Sequence, residues 1–114
     1  MNHKNFVPAK FVNLTGLDLT IIDKTGRIVD KILASGQVAR VDYIVAKTGE
    51  INGIPTFSKH VRGIAGMPEE KENEVYIVTE EVRAAIWGNP YVVAPFGLNK
   101  DRDGISGVCE GLQE

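Results

Sequence analysis

Residues 75–90 carry the pattern that decides the fold, and they read VYIVTEEVRAAIWGNP. The first four residues are all apolar, which is typical of a central strand covered on both faces. Thr79 stands at a helix N-cap position and is followed by two glutamates, which favour the helix dipole. Apolar residues at 82, 85 and 86 then follow the helical period, and a glycine and a proline end it. This stretch predicts a central strand followed by one short helix over residues 79–87.

Outward from this stretch, the chain shows short strands separated by turns. Period-2 alternation is clearest over residues 38–47, and glycine-containing turns at 23–26 and 35–36 flank a predicted hairpin arm. Roughly seven strands are predicted, over residues 11–14, 17–21, 27–33, 38–47, 56–64, 75–78 and 91–94, and a last edge strand is predicted at 105–109. The expected fold class is α+β: a mostly antiparallel sheet, as a small sandwich or barrel, with one short helix.

The length predicts a simple domain organisation. The 114 residues suit one ordinary domain, with 43% hydrophobic and 25% charged residues. Residues 1–10 are polar and are interpreted as a flexible arm, residues 11–114 as a single compact domain, and residues 111–114 as its tail.

The charge balance and the cysteine count limit the partners and the compartment. The formal net charge is −2, which argues against a protein that coats DNA or RNA, because such binding needs a basic face. No apolar run approaches the roughly 20 residues of a membrane helix, so no membrane partner is expected. The chain has one cysteine and no visible signal peptide, so the predicted location is the cytoplasm.

No constellation for catalysis is visible in the sequence. Neither a phosphate-binding glycine loop nor a dinucleotide fingerprint is present, so no cofactor is predicted. Cys109 and the two histidines lack metal-ligand spacing, and Cys109 is interpreted as a buried structural residue. The paired carboxylates are neighbours in sequence and do not converge from separate elements. The prediction is therefore a protein without catalytic residues or metal, and nucleotide hydrolysis is a minor alternative.

Two arginines inside strand-like segments are the first candidates for ligand contacts. Arg40, with Arg62 as second choice, could hold a phosphate with its planar guanidinium group. Each arginine could equally pair with a carboxylate or lie on a solvated face. His60 and Ser58 share a face with Arg62 by period 2, and this trio forms either a polar pocket or the wet side of a sheet.

Aromatic and small polar residues complete the candidate site. Phe96 and Trp87 are expected to be exposed, where an aromatic ring can stack on a base or fill a subunit interface. Asn13, Thr15 and Ser35 could bond to a ribose. Asn13 and Thr15 have the alternative role of capping a turn with their own side chains.

The order of several segments resembles a family of small phage and bacterial proteins. The resemblance covers about residues 11–109 and rests on Asn13-Leu14-Thr15, on SGQVARV at 35–41, on GMP at 66–68, on VYIVT at 75–79, on VVAP at 92–95 and on RDGISG at 102–107. The chain departs from the family pattern in having Gly16-Leu17 where Pro-His is common, so no role for a histidine is carried over.

The resemblance suggests a function class. Small phage proteins of this size include sponges, which sequester nucleotide signals of bacterial immune systems, such as cyclic ADP-ribose variants or cyclic dinucleotides. They are commonly symmetric oligomers with pockets at or near subunit interfaces. The resemblance therefore implies a nucleotide-binding homo-oligomer in the host cytoplasm. The alternative is a structural or interaction protein of a phage particle or of host takeover.

Overall fold

The structure is a computed structural model, and it describes residues 9–86, 88–98, 100–101, 104–105 and 107–114. Most of the ordered elements are strands, and one short helix lies among them. The strands are β1 (Lys10–Asn13), β2 (Leu19–Ile22), β3 (Ile28–Ile32), β4 (Arg40–Ile51), β5 (Ile54–Ala65), β6 (Glu74–Ile77), β7 (Val92–Phe96), β8 (Lys100–Asp101), β9 (Gly104–Ile105), β10 (Val108–Cys109) and β11 (Gly111–Gln113), and the helix is α1 (Glu80–Ala85).

The apolar run at 75–78 lies in the centre of the main sheet, as predicted. This sheet has the order β1-β6-β7-β11, so β6 has a neighbour on each side. All four residues of the run are buried, with Val75 at 1% and Tyr76, Ile77 and Val78 at 0% exposure. A strand buried on both faces needs apolar residues at consecutive positions, which is why this segment shows no alternation.

Two cores lie on opposite faces of the main sheet. We call the cluster of Leu14, Ala39, Tyr76, Val78, Val82 and Val92 the helix-side core. We call the cluster of Leu19, Val75, Ile77 and Val93 the sheet-side core, because β2 and β3 cover it through Leu19 and Ile32. Alternate residues of β6 enter the two cores, so one strand joins three layers. The two cores and the elements around them are the body of the molecule.

The helix connects β6 to β7 and begins at the predicted cap. The Thr79 hydroxyl accepts a hydrogen bond from the Val82 amide at 3.4 Å, and Val82 is the buried residue of the helix. The helix ends at Ala85, somewhat earlier than predicted, and Trp87 lies outside the described residues. Because β6 and β7 are parallel, this strand-helix-strand unit crosses one face of the sheet.

The predicted antiparallel sheet is corrected to a mixed one. β6 pairs in parallel with β1 and with β7, and β10 pairs in parallel with β2, whereas β2–β3, β4–β5, β7–β11 and β8–β9 are antiparallel. The strands of the described residues form separate sheets and no closed barrel. Apolar patterns identify strands but carry no information on pairing direction, which depends on the path of each connection.

The C-terminal segment also differs from expectation. The predicted tail contains β11, which pairs with β7 and completes the main sheet. The predicted edge strand over 105–109 is two short strands, β9 and β10. At the other end, β1 begins at Lys10, whose amide donates to the Asn73 carbonyl at 2.7 Å, and residues 1–8 of the predicted arm lie outside the described residues.

A long two-stranded hairpin extends from the body. It consists of β4 and β5, each 12 residues long, and we call it the ribbon. Asn52 and Gly53 form its tight turn with φ angles of 51° and 79°, as a type I′ hairpin turn requires. The strand predicted over residues 38–47 is longer than expected, because a β-bulge between Lys47 and Gly49 absorbs an extra residue and the strand continues to Ile51.

The ribbon explains the elongated shape of the molecule. Its 12 residues per strand correspond to about 40 Å of length, and the longest principal extent is 55 Å against 36 and 26 Å for the other two. In the described part of the chain, no helix is long and apolar enough to cross a membrane.

Candidate functional site

The parallel strands β1 and β6 end at the same edge of the main sheet. From there the chain turns toward one face of the sheet after β1 and toward the other face after β6. After β1 it runs to Leu19 in the sheet-side core, whereas after β6 it enters α1, whose Val82 belongs to the helix-side core. Connections that diverge in this way leave a crevice at the carboxyl ends of the strands. This is the position at which open α/β sheets bind ligands.

A cleft of about 420 Å³ lies at this edge, and we call it the carboxyl-edge cleft. Its volume falls within the range of about 300–1,000 Å³ that ligand pockets occupy. The lining residues come from the segments that follow β1 and β6 and from the end of β7: they are Thr15, Leu17, Leu19, Thr79, Glu80, Pro95 and Leu98.

Asn13 shapes one wall of the cleft from inside the protein. Its amide nitrogen donates to the carbonyls of Leu17 and Ile32 at 2.7 and 3.0 Å. Its side-chain oxygen accepts from the Thr15 amide at 3.0 Å and from the Thr15 hydroxyl at 2.7 Å. These four bonds use the full capacity of an amide side chain, and Asn13 is only 1% exposed. The turn-capping alternative for Asn13 and Thr15 is therefore confirmed, and Asn13 has no polar atom left for a ligand.

The opposite wall carries an ionised carboxylate that is paired with an arginine. Glu80 accepts from Arg83 Nε at 2.7 Å, from Arg83 Nη2 and from Gln113 Nε2 at 2.9 Å. The hydrogen bond from Arg83 lowers the pKa of Glu80 below its ordinary value, so the group is ionised at neutral pH. Since Arg83 balances this charge, the wall does not present an unpaired anion.

The cleft is therefore suited to an apolar body with a few hydrogen-bonding groups. Four of its seven lining residues are leucine or proline, and none is lysine or arginine. The hydroxyls of Thr15 and Thr79 are its neutral polar groups. A phosphate has no cationic partner among these residues, so the lining favours an uncharged, ring-like moiety.

The predicted arginines lie on the ribbon and do not line the cleft. Arg40 is exposed at the start of β4, opposite Ala65. Arg62 occupies a bulge of β5 and lies 3.9 Å from the Asp42 carboxylate, with both side chains more than half exposed. Arg62 is therefore ion-paired, which was one of the alternatives for it. An exposed pair at this distance contributes little to stability.

The predicted polar trio is partly maintained. Ser58 pairs with Ala46 and His60 with Ile44, so these two polar side chains share one face of the ribbon. The bulge leaves Arg62 without a paired residue in the ladder, which breaks the alternation on which the trio depended. Exposed aliphatic residues such as Ile44 lie beside His60, and the surface is not a polar pocket.

The remaining candidates are dispersed. Ser35 donates its amide to the Asn13 carbonyl at 3.0 Å, while its exposed hydroxyl accepts from the Gln37 amide at 3.3 Å. Phe96 is 53% exposed at the end of β7, as expected, but the cleft is lined by its neighbour Pro95. Trp87 lies outside the described residues. Of the sequence-predicted residues that the structure describes, Thr15 alone lines the cleft.

The described part of the chain has neither a candidate metal cluster nor an exposed cysteine. No group of three or more histidine, cysteine, aspartate or glutamate residues there could hold a metal ion. Cys109 is fully buried, and desolvation raises the pKa of its thiol, which keeps it protonated. This burial confirms the structural interpretation of Cys109.

A second cavity has an acidic rim. It has a volume of about 360 Å³ and is lined by Ala9, Glu70, Lys71, Glu72, Asn73, Glu74, Val75 and Tyr91. The buried Tyr76 holds this segment in place, because its hydroxyl accepts from the Lys71 amide at 2.8 Å and lies 3.0 Å from the Glu74 carboxylate. We call this cavity the acidic groove.

Comparison with known proteins does not identify a relative. No family model, no curated protein and no solved structure matches the chain. The carboxyl-edge cleft therefore stands on its geometry alone. Sequence reasoning missed the other lining residues because their proximity depends on the parallel pairing of β1, β6 and β7; they are Leu17, Leu19, Thr79, Glu80, Pro95 and Leu98.

Proposed function

We propose that this chain is a non-enzymatic small-molecule-binding protein and that its ligand occupies the carboxyl-edge cleft. The observation that supports this proposal is the divergence of the chain after β1 and β6, which leaves a crevice of ligand-pocket size at the carboxyl ends of parallel strands.

The lining suggests which part of a ligand enters. Apolar walls and two threonine hydroxyls suit a planar ring with a few polar groups, such as a nucleobase. The finer form of the proposal is sequestration of a nucleotide immune signal, of the cyclic ADP-ribose or cyclic dinucleotide type, by a phage-encoded protein. In this form the base enters the cleft and the phosphates stay outside it, which is compatible with the lack of arginine and lysine among the described lining residues.

The proposal is tested by incubating the purified protein with a lysate containing nucleotide signals, then heating it and identifying the released molecules by mass spectrometry. A nucleotide released intact supports sequestration, and a cleaved one supports the hydrolase alternative. If the protein releases no small molecule, small-molecule binding is contradicted.

A matched pair of variants locates the ligand. Leu98→Trp fills the cleft from a residue that belongs to neither core and should abolish retention, whereas Leu33→Trp adds the same ring at a position that is 68% exposed and should leave it unchanged. Arg40→Ala distinguishes the sequence-based site from the cleft. Loss of retention in Arg40→Ala together with normal retention in Leu98→Trp would place the ligand on the ribbon.

A second candidate function is that of a structural or interaction protein. The ribbon favours it, because six large apolar side chains on β4 and β5 are more than half exposed. Exposed apolar surface on this scale is typical of a protein interface.

A further inference from the structure

The ribbon carries an unusual concentration of exposed apolar side chains. They are Ile44 at 54%, Val45 at 60%, Ile51 at 65%, Ile54 at 67%, Phe57 at 63% and Val61 at 55% exposure. Single exposed apolar residues are normal on protein surfaces, but a group of six on one hairpin marks an interaction site.

Strand register assigns these residues to both faces of the ribbon. The pairs Tyr43–Val61, Val45–Lys59 and Lys47–Phe57 share the first face, on which Val45, Phe57 and Val61 are exposed. The pairs Ile44–His60 and Ile51–Ile54 lie on the second face. A partner that covers one face alone would leave aliphatic side chains of the other face in water.

The contacts between the ribbon and the body lie near its base. Val41 and Ile64 pack on the helix-side core, and the Tyr43 hydroxyl donates to the Glu81 carboxylate at 2.6 Å. Beyond these residues, the described strands pair only β4 with β5, so both outer backbone edges are unpaired. A two-stranded hairpin is marginally stable on its own, and an open edge is a template for further pairing.

The free part of the ribbon contributes much of the area that a stable dimer buries. Beyond Tyr43, residues 44–51 and their partners span about 26 Å, which at a width of about 10 Å gives about 260 Å² on each face. Covering both faces would bury about 500 Å² per copy, and the surface that receives the partner's ribbon brings this toward the usual contribution of about 800 Å².

The charges indicate that the partner is a second copy of this chain. Residues 40–65 contain four lysines or arginines and two carboxylates, so the ribbon has a net charge of +2, and the rest of the chain has −4. Lys47 and Lys59 lie beside Phe57 on the first face of the ribbon. Lys47 also lies 3.3 Å from Glu50 and Lys59 lies over the Tyr43 ring, and these exposed contacts are weak enough to be exchanged for the carboxylates of a partner. The acidic groove offers the complement, with glutamates at its rim and Val75 and Tyr91 in its lining.

We propose that the ribbon is an arm that packs against a second copy of the chain in a twofold dimer. Phe57 enters the acidic groove of the partner, and Lys47 and Lys59 lie against Glu70 and Glu72 there. Each copy gives one arm and receives one, which closes the assembly. This proposal is independent of the carboxyl-edge cleft, since neither cavity shares a lining residue with the other.

Light scattering on the purified chain provides the first test. The expected mass is about 25 kDa, twice the chain mass of 12.5 kDa, at micromolar concentration. Phe57→Asp should reduce it to the monomer mass. Val29→Asp is the matched control, because Val29 is also 63% exposed but lies on β3, and it should leave the dimer intact.

Charge exchange tests the pairing itself. The double variants Lys47→Glu/Lys59→Glu and Glu70→Lys/Glu72→Lys should each be monomeric, because arm and groove then carry the same sign. Mixing the two should restore a dimer, since each arm then meets a groove of opposite charge. Circular dichroism confirms that all variants are folded.

Three outcomes would overturn the proposal. They are a monomeric wild type, a charge-reversed arm that still dimerises alone, and a mixture that stays monomeric. Co-elution of the wild-type monomer with duplex DNA would instead assign the ribbon to nucleic-acid binding and would equally refute the arm.

Discussion

The body and the ribbon use the same residue types in opposite ways. Ile77 in the body is fully buried, while Ile44 in the ribbon is 54% exposed, although both lie in strands rich in β-branched residues. The body covers both faces of its central strand within one chain, whereas the ribbon covers neither face beyond its base. A strand-forming sequence therefore does not imply that its own chain covers the strand. Exposed apolar strands such as those of the ribbon are the basis of the proposed partner.

The largest expected difference between the two regions concerns side-chain truncation. Ile77→Ala should lower the free energy of unfolding by about 2–5 kcal/mol, because it leaves a cavity in the sheet-side core. Ile44→Ala should lower it by less than about 0.5 kcal/mol. Denaturant unfolding at a dilution where the chain is monomeric measures both. Equal losses would mean that the ribbon is packed within the monomer.

Glycine substitutions should sharpen the comparison. Gly66, which follows the ribbon, has φ of +84°, and an added Cβ would overlap the Val38 carbonyl oxygen. Gly53 at the ribbon tip has φ of +79° but no atom within 4 Å of such a Cβ. Gly66→Ala should therefore cost about 2–4 kcal/mol and Gly53→Ala about 1 kcal/mol, by thermal or denaturant unfolding. The two costs would be alike only if the backbone around Val38 could move away freely.

Two asparagines provide a further matched pair. Asn13→Ala removes four internal hydrogen bonds, including the one to the carbonyl of the half-buried Ile32, for an expected loss of about 2–3 kcal/mol. Asn52→Ala replaces a residue that adopts the left-handed φ of 51° comparatively readily with one that does not, and should cost about 1 kcal/mol. Asn52→Gly is the control, since glycine adopts this φ readily. A smaller loss for Asn13→Ala than for Asn52→Ala would show that the turn between β1 and β2 does not depend on the side-chain hydrogen bonds of Asn13.

The smallest expected effect is a pH dependence above neutrality. Burial raises the pKa of Tyr76 above 10.0, so the folded state holds the proton more tightly than the unfolded state does. The stability from this group is complete below pH 10 and is lost as the pH rises through the folded pKa. Tyr76→Phe should flatten the fall in melting temperature between pH 9 and about 11.

Tyr43 on the ribbon is the control for this prediction. The hydrogen bond to Glu81 raises the pKa of Tyr43, but the group is exposed to water, which screens the interaction. Tyr43→Phe should therefore leave the alkaline profile close to that of the wild type. Similar changes in the two variants would contradict the different burial of the two rings.

Local chemistry predicted the elements well and their arrangement poorly. The apolar run of β6, the Thr79 cap and the alternation of β4 follow from side-chain period and backbone capping, and each is present in the structure. The bulge at Gly49 has no signature distinct from a turn, so the ribbon was predicted as shorter than it is. The strand at 111–113 has no alternation and exists because β7 offers it an edge.

The candidate site shows the same limit. Thr15 and Asn13 were predicted as ligand contacts or turn caps because hydroxyl and amide groups at a strand end suggest hydrogen bonding from the sequence alone. Leucines at 17, 19 and 98 carry no such signal, since an apolar residue reads equally as core or as cleft wall. Only their convergence at one sheet edge distinguishes the two roles.

The sequence by itself determined where most of the strands and the helix form and that Thr79 caps the helix. These properties depend on interactions within a few residues along the chain. Tertiary structure decided the parallel direction of β1, β6 and β7, the position of the carboxyl-edge cleft and the exposure of the ribbon. The physical reason is that pairing direction and burial depend on which distant segments of the chain meet. A period-2 pattern is the same whether its strand is covered by its own chain or exposed to solvent.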